Sequence, residues 1–352
     1  MSFENIVMLT EKQRLFNAIA REPCDRPPCI CPGGMMNMAI RDLMEYNQAF
    51  FPHAHTDANK MAGLARAAYE AKCFENYGVP FCMTIEAEEM GAAVDLGDDK
   101  REPRVKEYAI GSVCEWHRLK PVSLEDGRAG TVLNAIRILK ENNEGIPIIG
   151  NITGPVSVAS SVLEPTDFYK ELKKKNKEAH EFMKFVTEQL VVFAKAQLAS
   201  GADIITISDP GGTGEILSPK LFFEFMVRYL NILTDALKAD YPNAPVIVHI
   251  CGRMHKVYDL LNQLKCDTLS FDACVSVKKA KELLPGHSIM GNVSTYALEY
   301  GKPEKISRIT RKCIRDGVDV IAPACGLGNA SPLVNMQAIL KSVHETYNYA
   351  CN

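Results

Sequence analysis

Short apolar runs alternate with helical patterns along the whole sequence, and this alternation narrows the possible folds more than any other feature. Several runs are almost wholly apolar, which is typical of parallel strands buried on both faces. Strands of that kind alternate with helices in α/β proteins. Eight of them predict an α/β fold of the (β/α)8 TIM-barrel type. The predicted strands span residues 27–31, 79–85, 147–150, 203–208, 245–250, 268–271, 288–292 and 319–322.

Two further stretches lie outside the simple barrel repeat. Residues 9–21 have the spacing of an amphipathic helix and precede the first predicted strand, so we expect an N-terminal helical extension. Residues 92–113 alternate in polarity and carry many charges, which predicts a hairpin inserted after the second strand. We see no linker, low-complexity tract or internal repeat that would force a second domain. We therefore expect a single domain over residues 1–352.

Composition excludes several classes of protein. The chain is 47% hydrophobic and 24% charged with a net charge of −3, so nucleic acid is not the expected partner. No apolar run reaches the roughly 18–20 residues of a membrane helix, and no signal peptide is visible. The 12 cysteines are scattered, which indicates reduced thiols in the cytoplasm and not a disulfide framework.

Three soft metal ligands fall at the ends of predicted strands. His249 and Cys251 stand two apart before Gly252, and Cys325 is also followed by a glycine, Gly326. Imidazole and thiolate suit Zn²⁺, and three protein ligands leave the fourth position open, as in catalytic zinc sites. Because the C-terminal ends of barrel strands meet at one mouth, His249, Cys251 and Cys325 are predicted to be the metal ligands and the catalytic residues. Each could instead be an ordinary buried side chain.

Polar residues at other strand ends are candidates for holding the substrate. Asp209 precedes Pro210 and two glycines, and it could contact substrate, support the metal, or simply cap a turn. Glu88 lies in an acidic run after the second strand, and Asn292 ends the seventh strand. We predict that Asp209, Asn292 and Glu88 bind substrate. Gly33-Gly34 and the glycines after Pro210 match no dinucleotide or Walker motif.

The sequence resembles the uroporphyrinogen decarboxylase superfamily over nearly its whole length. Within that superfamily it is more similar to the methylcobamide:coenzyme M methyltransferases, whose His-x-Cys…Cys zinc signature appears here as His249, Cys251 and Cys325. The decarboxylase pattern is not met, since residues 29–36 contain no arginine to grip porphyrin carboxylates. The motifs that carry the resemblance are Ser218-Pro219 after Asp209, Gly291-Asn292-Val293, Cys325 to Asn335, Pro52 to Asp57, and Glu88 to Gly91.

This resemblance implies methyl transfer on the same barrel fold. It implies Zn²⁺ as the cofactor in this chain, while the cobamide is carried by a methylated corrinoid protein that acts as partner. The acceptor would be a small thiol such as coenzyme M. The alternatives are transfer involving tetrahydrofolate, a first-step transfer from a small donor onto cobalt, a decarboxylase-like lyase, and a non-catalytic corrinoid-binding protein.

Overall fold

The computed structural model describes residues 9–143 and 145–348. In these ranges the parallel strands are short and buried, as apolar runs bounded by prolines and glycines should be. The strands are β1 (Tyr77–Val79), β2 (Ala93–Asp95), β3 (Arg104–Glu107), β4 (Ile148–Thr153), β5 (Ile204–Ser208), β6 (Val246–Ile250), β7 (Thr268–Phe271), β8 (Ser288–Val293) and β9 (Val320–Pro323).

Three helices precede β1, and the others lie between or after the strands along the chain. They are α1 (Glu11–Ala20), α2 (Arg41–Asn47), α3 (Ala58–Glu70), α4 (Ile85–Glu89), α5 (Gly127–Lys140), α6 (Pro155–Val162), α7 (Pro165–Lys174), α8 (Asn176–Ala199), α9 (Pro219–Leu221), α10 (Arg228–Asp240), α11 (Tyr258–Leu261), α12 (Val277–Leu283), α13 (Thr295–Tyr300), α14 (Pro303–Arg315) and α15 (Leu333–Asn348). A π-helical segment, Phe222–Val227, joins α9 to α10. Within the described ranges, no helix has both the length and the apolar character that crossing a membrane requires.

Seven strands form one parallel sheet in the order β1-β4-β5-β6-β7-β8-β9. The predicted first strand lies between its two edges. Cys29 bridges Ile321 of β9, and the Glu75 amide donates to the Cys29 carbonyl at 2.8 Å. On the β1 side, the Asn76 side chain takes the place of a strand partner, because it bonds both the amide and the carbonyl of Cys31. The sheet therefore curls into a barrel-like wall.

Two of the predicted strands differ from the observed structure, one in regularity and one in position. Residues 27–31 make an isolated bridge and no regular strand, because Pro27, Pro28 and Pro32 have no amide to donate to a ladder. The predicted strand 79–85 is wrong in position, since the strand is Tyr77–Val79. Pro80 ends it, and the apolar residues that follow pack in a loop and in α4. The other six predicted parallel strands overlap observed ones.

The interior of the sheet is apolar at one end and polar at the other. At the end where the strands begin, α1 places Leu15, Ala18 and Ile19 against an inner layer. That layer consists of Ile30, Met36, Ile149, Ile204, Ile247, Met290, Val320 and Ala322. Toward the strand ends the same inward faces carry Thr153, Ser208, His249 and Ser270, which stand in register. The polar end is the mouth.

Two connections complete the mouth. In the range where a hairpin is expected, β2 and β3 pair antiparallel. The hairpin brings Glu102 to the mouth, where its carboxylate accepts a hydrogen bond from the side-chain amide of Asn37 at 3.2 Å. Residues 33–36 form a tight turn after the first strand segment, with Gly33 bridged to Met36.

Candidate metal centre

The three residues that the sequence singled out converge at the mouth. His249 is the fourth residue of β6, Cys251 follows that strand directly, and Cys325 lies two residues beyond β9. His249 Nε2 is 3.3 Å from Cys251 Sγ, and Cys251 Sγ is 3.6 Å from Cys325 Sγ. Nitrogen and sulfur donors of the three residues all lie within 4.8 Å of one another. In the described part of the chain, this is the one such group of three or more potential ligands.

The glycine after each cysteine is required by close packing. Gly252 has φ +79°, and a Cβ atom there would lie 2.7 Å from Thr213 Oγ1. A Cβ on Gly326 would lie 2.4 Å from the Met35 carbonyl oxygen. A larger residue at either position would displace the neighbouring cysteine. The two Cys-Gly pairs thus form tight turns, and the geometry of these turns fixes the positions of the two sulfurs.

A hydrogen bond orients the imidazole. His249 Nδ1 is 2.9 Å from Ser270 Oγ, on the neighbouring strand β7, and both side chains are fully buried. If Nδ1 carries the proton and donates to Ser270, Nε2 keeps its lone pair and faces the two sulfurs. The imidazole is then a neutral donor, which is the form that binds metal.

The spacing of the donors fits a tetrahedral zinc ion. Zinc bonds of about 2.3 Å to sulfur and about 2.0 Å to nitrogen set the sulfur–sulfur edge at about 3.8 Å and the nitrogen–sulfur edge at about 3.5 Å. Two of the three observed edges are 3.6 Å and 3.3 Å, and the third, between His249 and Cys325, is within 4.8 Å. The donor set is also the soft nitrogen and sulfur chemistry that zinc takes. The residues present therefore fit the ion.

The two sulfurs share a proton. The hydrogen bond between them raises the pKa of Cys251, and burial adds to this effect. The same bond lowers the pKa of Cys325, with a further contribution from His249. A metal that binds both as thiolates must displace the shared proton, so its affinity should rise with pH.

Asp209 lies fully buried at the end of β5, where protein donors surround its carboxylate. It accepts from the Ser157 hydroxyl at 2.7 Å, the Ser157 amide at 2.8 Å and the Val156 amide at 3.1 Å. These amides belong to the first turn of α6, so Asp209 caps a helix that follows a different strand. Burial raises the pKa of Asp209 to about 6 although these bonds act against the rise.

Glu88 and Asn292 also contact protein groups. Glu88 is half-buried and pairs with Arg128. The side-chain amide of Asn292 donates to the backbone carbonyl oxygens of Asp272 at 2.9 Å and Val275 at 2.7 Å, and so holds the loop after β7. Neither residue is brought into contact with His249, Cys251 or Cys325, and their binding of substrate stays a prediction.

Sequence reasoning missed Arg128, a buried guanidinium beside the second strand end. It donates to Thr84 Oγ1 at 2.9 Å and to Cys82 Sγ at 3.2 Å, besides its pair with Glu88. One signal was available, because a cation in the first turn of a helix opposes the helix dipole and needs a specific partner. His55 was also missed as a buried group; burial and Arg128 lower its pKa to about 3, so it is neutral.

Glu86 is the fully buried member of the acidic run. Its carboxylate accepts from the Thr153 amide at 2.7 Å and from the Thr153 hydroxyl at 3.0 Å. Burial raises the pKa of Glu86 to about 7, while those bonds hold it lower than burial alone would. The carboxyl therefore ties α4 to the end of β4 and titrates near neutrality.

The chain is similar to known proteins over nearly its full length. Methylcobamide:CoM methyltransferase MtbA of Methanosarcina acetivorans is 31% identical over 97% of this chain and 99% of that protein. The solved structure of a methyltransferase from Methanosarcina mazei superposes with a TM-score of 0.89 at 31% identity, over 96% of this chain and 99% of that one. Uroporphyrinogen decarboxylase of Chlorobium luteolum is 27% identical over 86% of this chain and 87% of that protein. The uroporphyrinogen decarboxylase (URO-D) family model matches residues 10–346, and the chain belongs to that family.

Proposed function

We propose that this protein is a zinc-dependent methyltransferase that moves a methyl group from a methylated corrinoid protein to a thiol. One observation carries the proposal: a nitrogen and two sulfurs lie within 4.8 Å of one another at the mouth, and two of their three edges have the lengths of a zinc site. The methylcobamide:CoM methyltransferases at about 30% identity over nearly the full length support the reaction class.

We further infer that the fold acts as a complete (β/α)8 barrel in one domain over residues 1–352. Segment 27–31 serves as its first strand, α1 closes the floor as an N-terminal extension, and the β2–β3 pair is an insertion after the second strand. On the β9 side, the Ile30 amide donates to the Ile321 carbonyl and the Ile321 amide donates to the Pro28 carbonyl, each at 2.9 Å. These bonds and the bond from the Glu75 amide to the Cys29 carbonyl support this closure. A barrel of this kind presents its chemistry at the strand ends.

His249, Cys251 and Cys325 would hold the zinc ion. When bound, zinc supplies a positive centre that lowers the pKa of a thiol at its open position, so the thiol is a thiolate near neutral pH. Ser270 keeps the imidazole in the tautomer that donates its Nε2 lone pair. Gly252 and Gly326 let the two cysteine turns approach closely enough to share one ion.

The chemical step is a displacement at carbon. The acceptor thiolate attacks the methyl carbon of the methyl-Co(III) substrate, a carbon–sulfur bond forms, and the cobalt–carbon bond breaks with its electron pair going to cobalt as Co(I). The proton of the acceptor thiol has already left to solvent. This chain contributes position and charge, and the cobamide stays with the partner protein.

The decarboxylase alternative lacks the cations that it needs. A porphyrinogen with several carboxylates requires several free guanidinium groups. At the second strand end, Arg128 is buried and occupied by Glu88, Cys82 and Thr84. The turn at residues 33–36 carries methionines and glycines instead of arginines. We therefore favour methyl transfer to a thiol. The acceptor that we favour most is a thiol like 2-mercaptoethanesulfonate.

The test is an anaerobic assay of methylcobalamin with a panel of thiols and with tetrahydrofolate, run on zinc-loaded protein and on protein stripped by a chelator. We expect Co(I) and the methyl thioether to form together with a thiol and only when zinc is present. Turnover that survives complete removal of zinc would refute the proposed function, as would methyl transfer to tetrahydrofolate alone.

A further inference from the structure

Among the described residues, Cys251 and Cys325 are the one pair of cysteines whose sulfurs are hydrogen bonded to each other. The two sulfurs are 3.6 Å apart, although 74 residues separate the cysteines in sequence. A disulfide bond needs sulfurs about 2.05 Å apart, so rotation of the two side chains has to close a gap of about 1.5 Å. The fold therefore brings two thiols almost to bonding distance.

The pair also lies where a small oxidant can reach it. Cys251 and Cys325 are half-buried at the mouth, whereas six other cysteines are buried: Cys29, Cys31, Cys73, Cys82, Cys266 and Cys313. The half-buried Cys24 donates to backbone carbonyls, and the exposed Cys114 and Cys274 have no second cysteine as a hydrogen-bond partner among the described residues. An oxidant that enters the mouth thus meets a thiol with another thiol beside it, which is the arrangement of oxidation-sensitive cysteines.

We propose that Cys251 and Cys325 are a site of reversible oxidation, at which hydrogen peroxide joins the two sulfurs in a disulfide and zinc is released. One thiolate attacks a peroxide oxygen, so that a sulfur–oxygen bond forms and the oxygen–oxygen bond breaks. The second sulfur then attacks the sulfenic sulfur, and the sulfur–oxygen bond breaks as the disulfide forms. Each sulfur gives up one electron, and the peroxide takes two protons from solvent and leaves as two waters. This inference rests on the proposed metal site.

Oxidation removes the negative charge that holds the metal. A disulfide has no thiolate to donate, so the imidazole of His249, bonded to Ser270, is the one ligand left of the three. Zinc binds deprotonated cysteines, and a single imidazole does not hold it. The disulfide also protects the sulfurs, because a sulfenic acid without a partner thiol goes on to sulfinic acid, which thiols do not reduce. A dithiol reductant returns both thiolates, and the site takes up zinc again.

The experiment treats the zinc-loaded and the metal-free forms of three proteins with small additions of hydrogen peroxide: the wild type, C251S and C274S. Peptide mapping by mass spectrometry without reduction identifies disulfides and sulfinic acids, and a colorimetric chelator measures the zinc released. C274S is the matched control, because it removes an exposed cysteine from the loop after β7, at the same end of the barrel. Each oxidised sample is then treated with dithiothreitol and zinc.

We expect the wild type and C274S to form the disulfide between Cys251 and Cys325, to lose about one zinc per chain, and to regain it after reduction. C251S should instead accumulate sulfinic acid on Cys325, which then has no partner thiol.

Three results would overturn the inference and leave the proposed function standing. They are sulfinic acid on Cys325 of the wild type without a disulfide, a disulfide from either cysteine to Cys274, and retention of zinc by the disulfide form. A wild type that forms the disulfide and binds no zinc when reduced would refute the proposed function, while the oxidation of the pair would stand.

Discussion

Two neighbouring strands of the barrel wall end in similar sequence and in different chemistry. After β5 come Asp209, Pro210 and Gly211, and after β6 come Cys251 and Gly252. The Asp209 carboxylate accepts three hydrogen bonds from the first turn of α6. Cys251 Sγ instead contacts other soft donors: His249, Cys325 and Met35.

We propose that this difference separates a strand end that supports the fold from one that binds a metal. Both residues are polar, follow a buried strand and precede a glycine turn. The carboxylate at the β5 end already has protein donors, so ionic and hydrogen-bonding capacity is consumed by the fold. The sulfur at the β6 end lies beside an imidazole nitrogen and a second sulfur, an arrangement that a bound metal would stabilise.

Loss of a sulfur ligand should produce the largest effect. We expect C251S and C325S to reduce methyl transfer by about two orders of magnitude or more, because the metal supplies several kcal/mol of charge stabilisation. The thermal midpoint should change little, since both residues lie at the mouth and outside the apolar floor. The control is C114S, an exposed cysteine. Full turnover by either ligand variant at wild-type zinc content would contradict the assignment.

A pH test addresses Glu86, whose buried carboxyl, like that of Asp209, is held by hydrogen bonds within the fold. Its folded pKa of about 7 is above the ordinary value of 4.5, so the unfolded chain loses this proton first as pH rises. The stability contribution is complete below pH 4.5 and is lost as pH rises to about 7. Relative to E86Q, the wild-type free energy of unfolding should fall by up to about 3 kcal/mol across that window.

Denaturant melts of both proteins from pH 4 to pH 8 measure this difference. E125Q, the same change at an exposed glutamate, is measured beside them as the control. A parallel pH profile for the wild type and E86Q would show that Glu86 does not titrate in this range.

Asp209 separates capping from substrate binding. In D209N an amide NH₂ group must face donors of α6, so we expect a loss of about 1–3 kcal/mol in the free energy of unfolding. Methyl transfer per folded molecule should stay within twofold of wild type. D126N is a matched control, because Asp126 precedes α5 without a side-chain capping bond. A large fall in turnover with unchanged stability would favour the substrate role.

The smallest expected effect tests the orientation of the imidazole. S270A removes the partner of His249 Nδ1, and we expect the zinc dissociation constant to rise by about tenfold. Ser208 stands in register with His249 on the other neighbouring strand, and its hydroxyl has no hydrogen-bond partner among the described residues. S208A should therefore bind zinc like the wild type in a chelator competition titration. Equal weakening in both variants would remove the special role of Ser270.

Most of the fold could be predicted from apolar periodicity, because burial on both faces of a parallel sheet demands continuous apolar runs. The two wrongly predicted strands lie where an apolar run is buried without forming a strand, or where prolines interrupt it. Residues 81–85 are mostly apolar and mostly buried, although they form a loop and the start of α4. At residues 27–31 the prolines preclude a regular ladder, and the Asn76 side chain compensates in a way that no local pattern indicates.

The sequence predicted the convergence of the candidate site better than its surroundings. Ligand type and strand position were enough to bring His249, Cys251 and Cys325 together. The hydrogen-bond and ion-pair partners of Asp209 and Glu88 could not be predicted from the sequence, because they come from the first turns of α6 and α5, which are remote in sequence. The contact between Met35 and Cys251 could not be predicted for the same reason, since 216 residues separate them.

The most direct test of the account is the zinc content of three purified proteins at equal folded concentration: the wild type, C251S and D209N. The account predicts one tightly held zinc per chain in the wild type and in D209N, and loss of most zinc from C251S. Retention of zinc by C251S, or its loss from folded D209N, would contradict the claim that the β6 end binds the metal and the β5 end supports the fold.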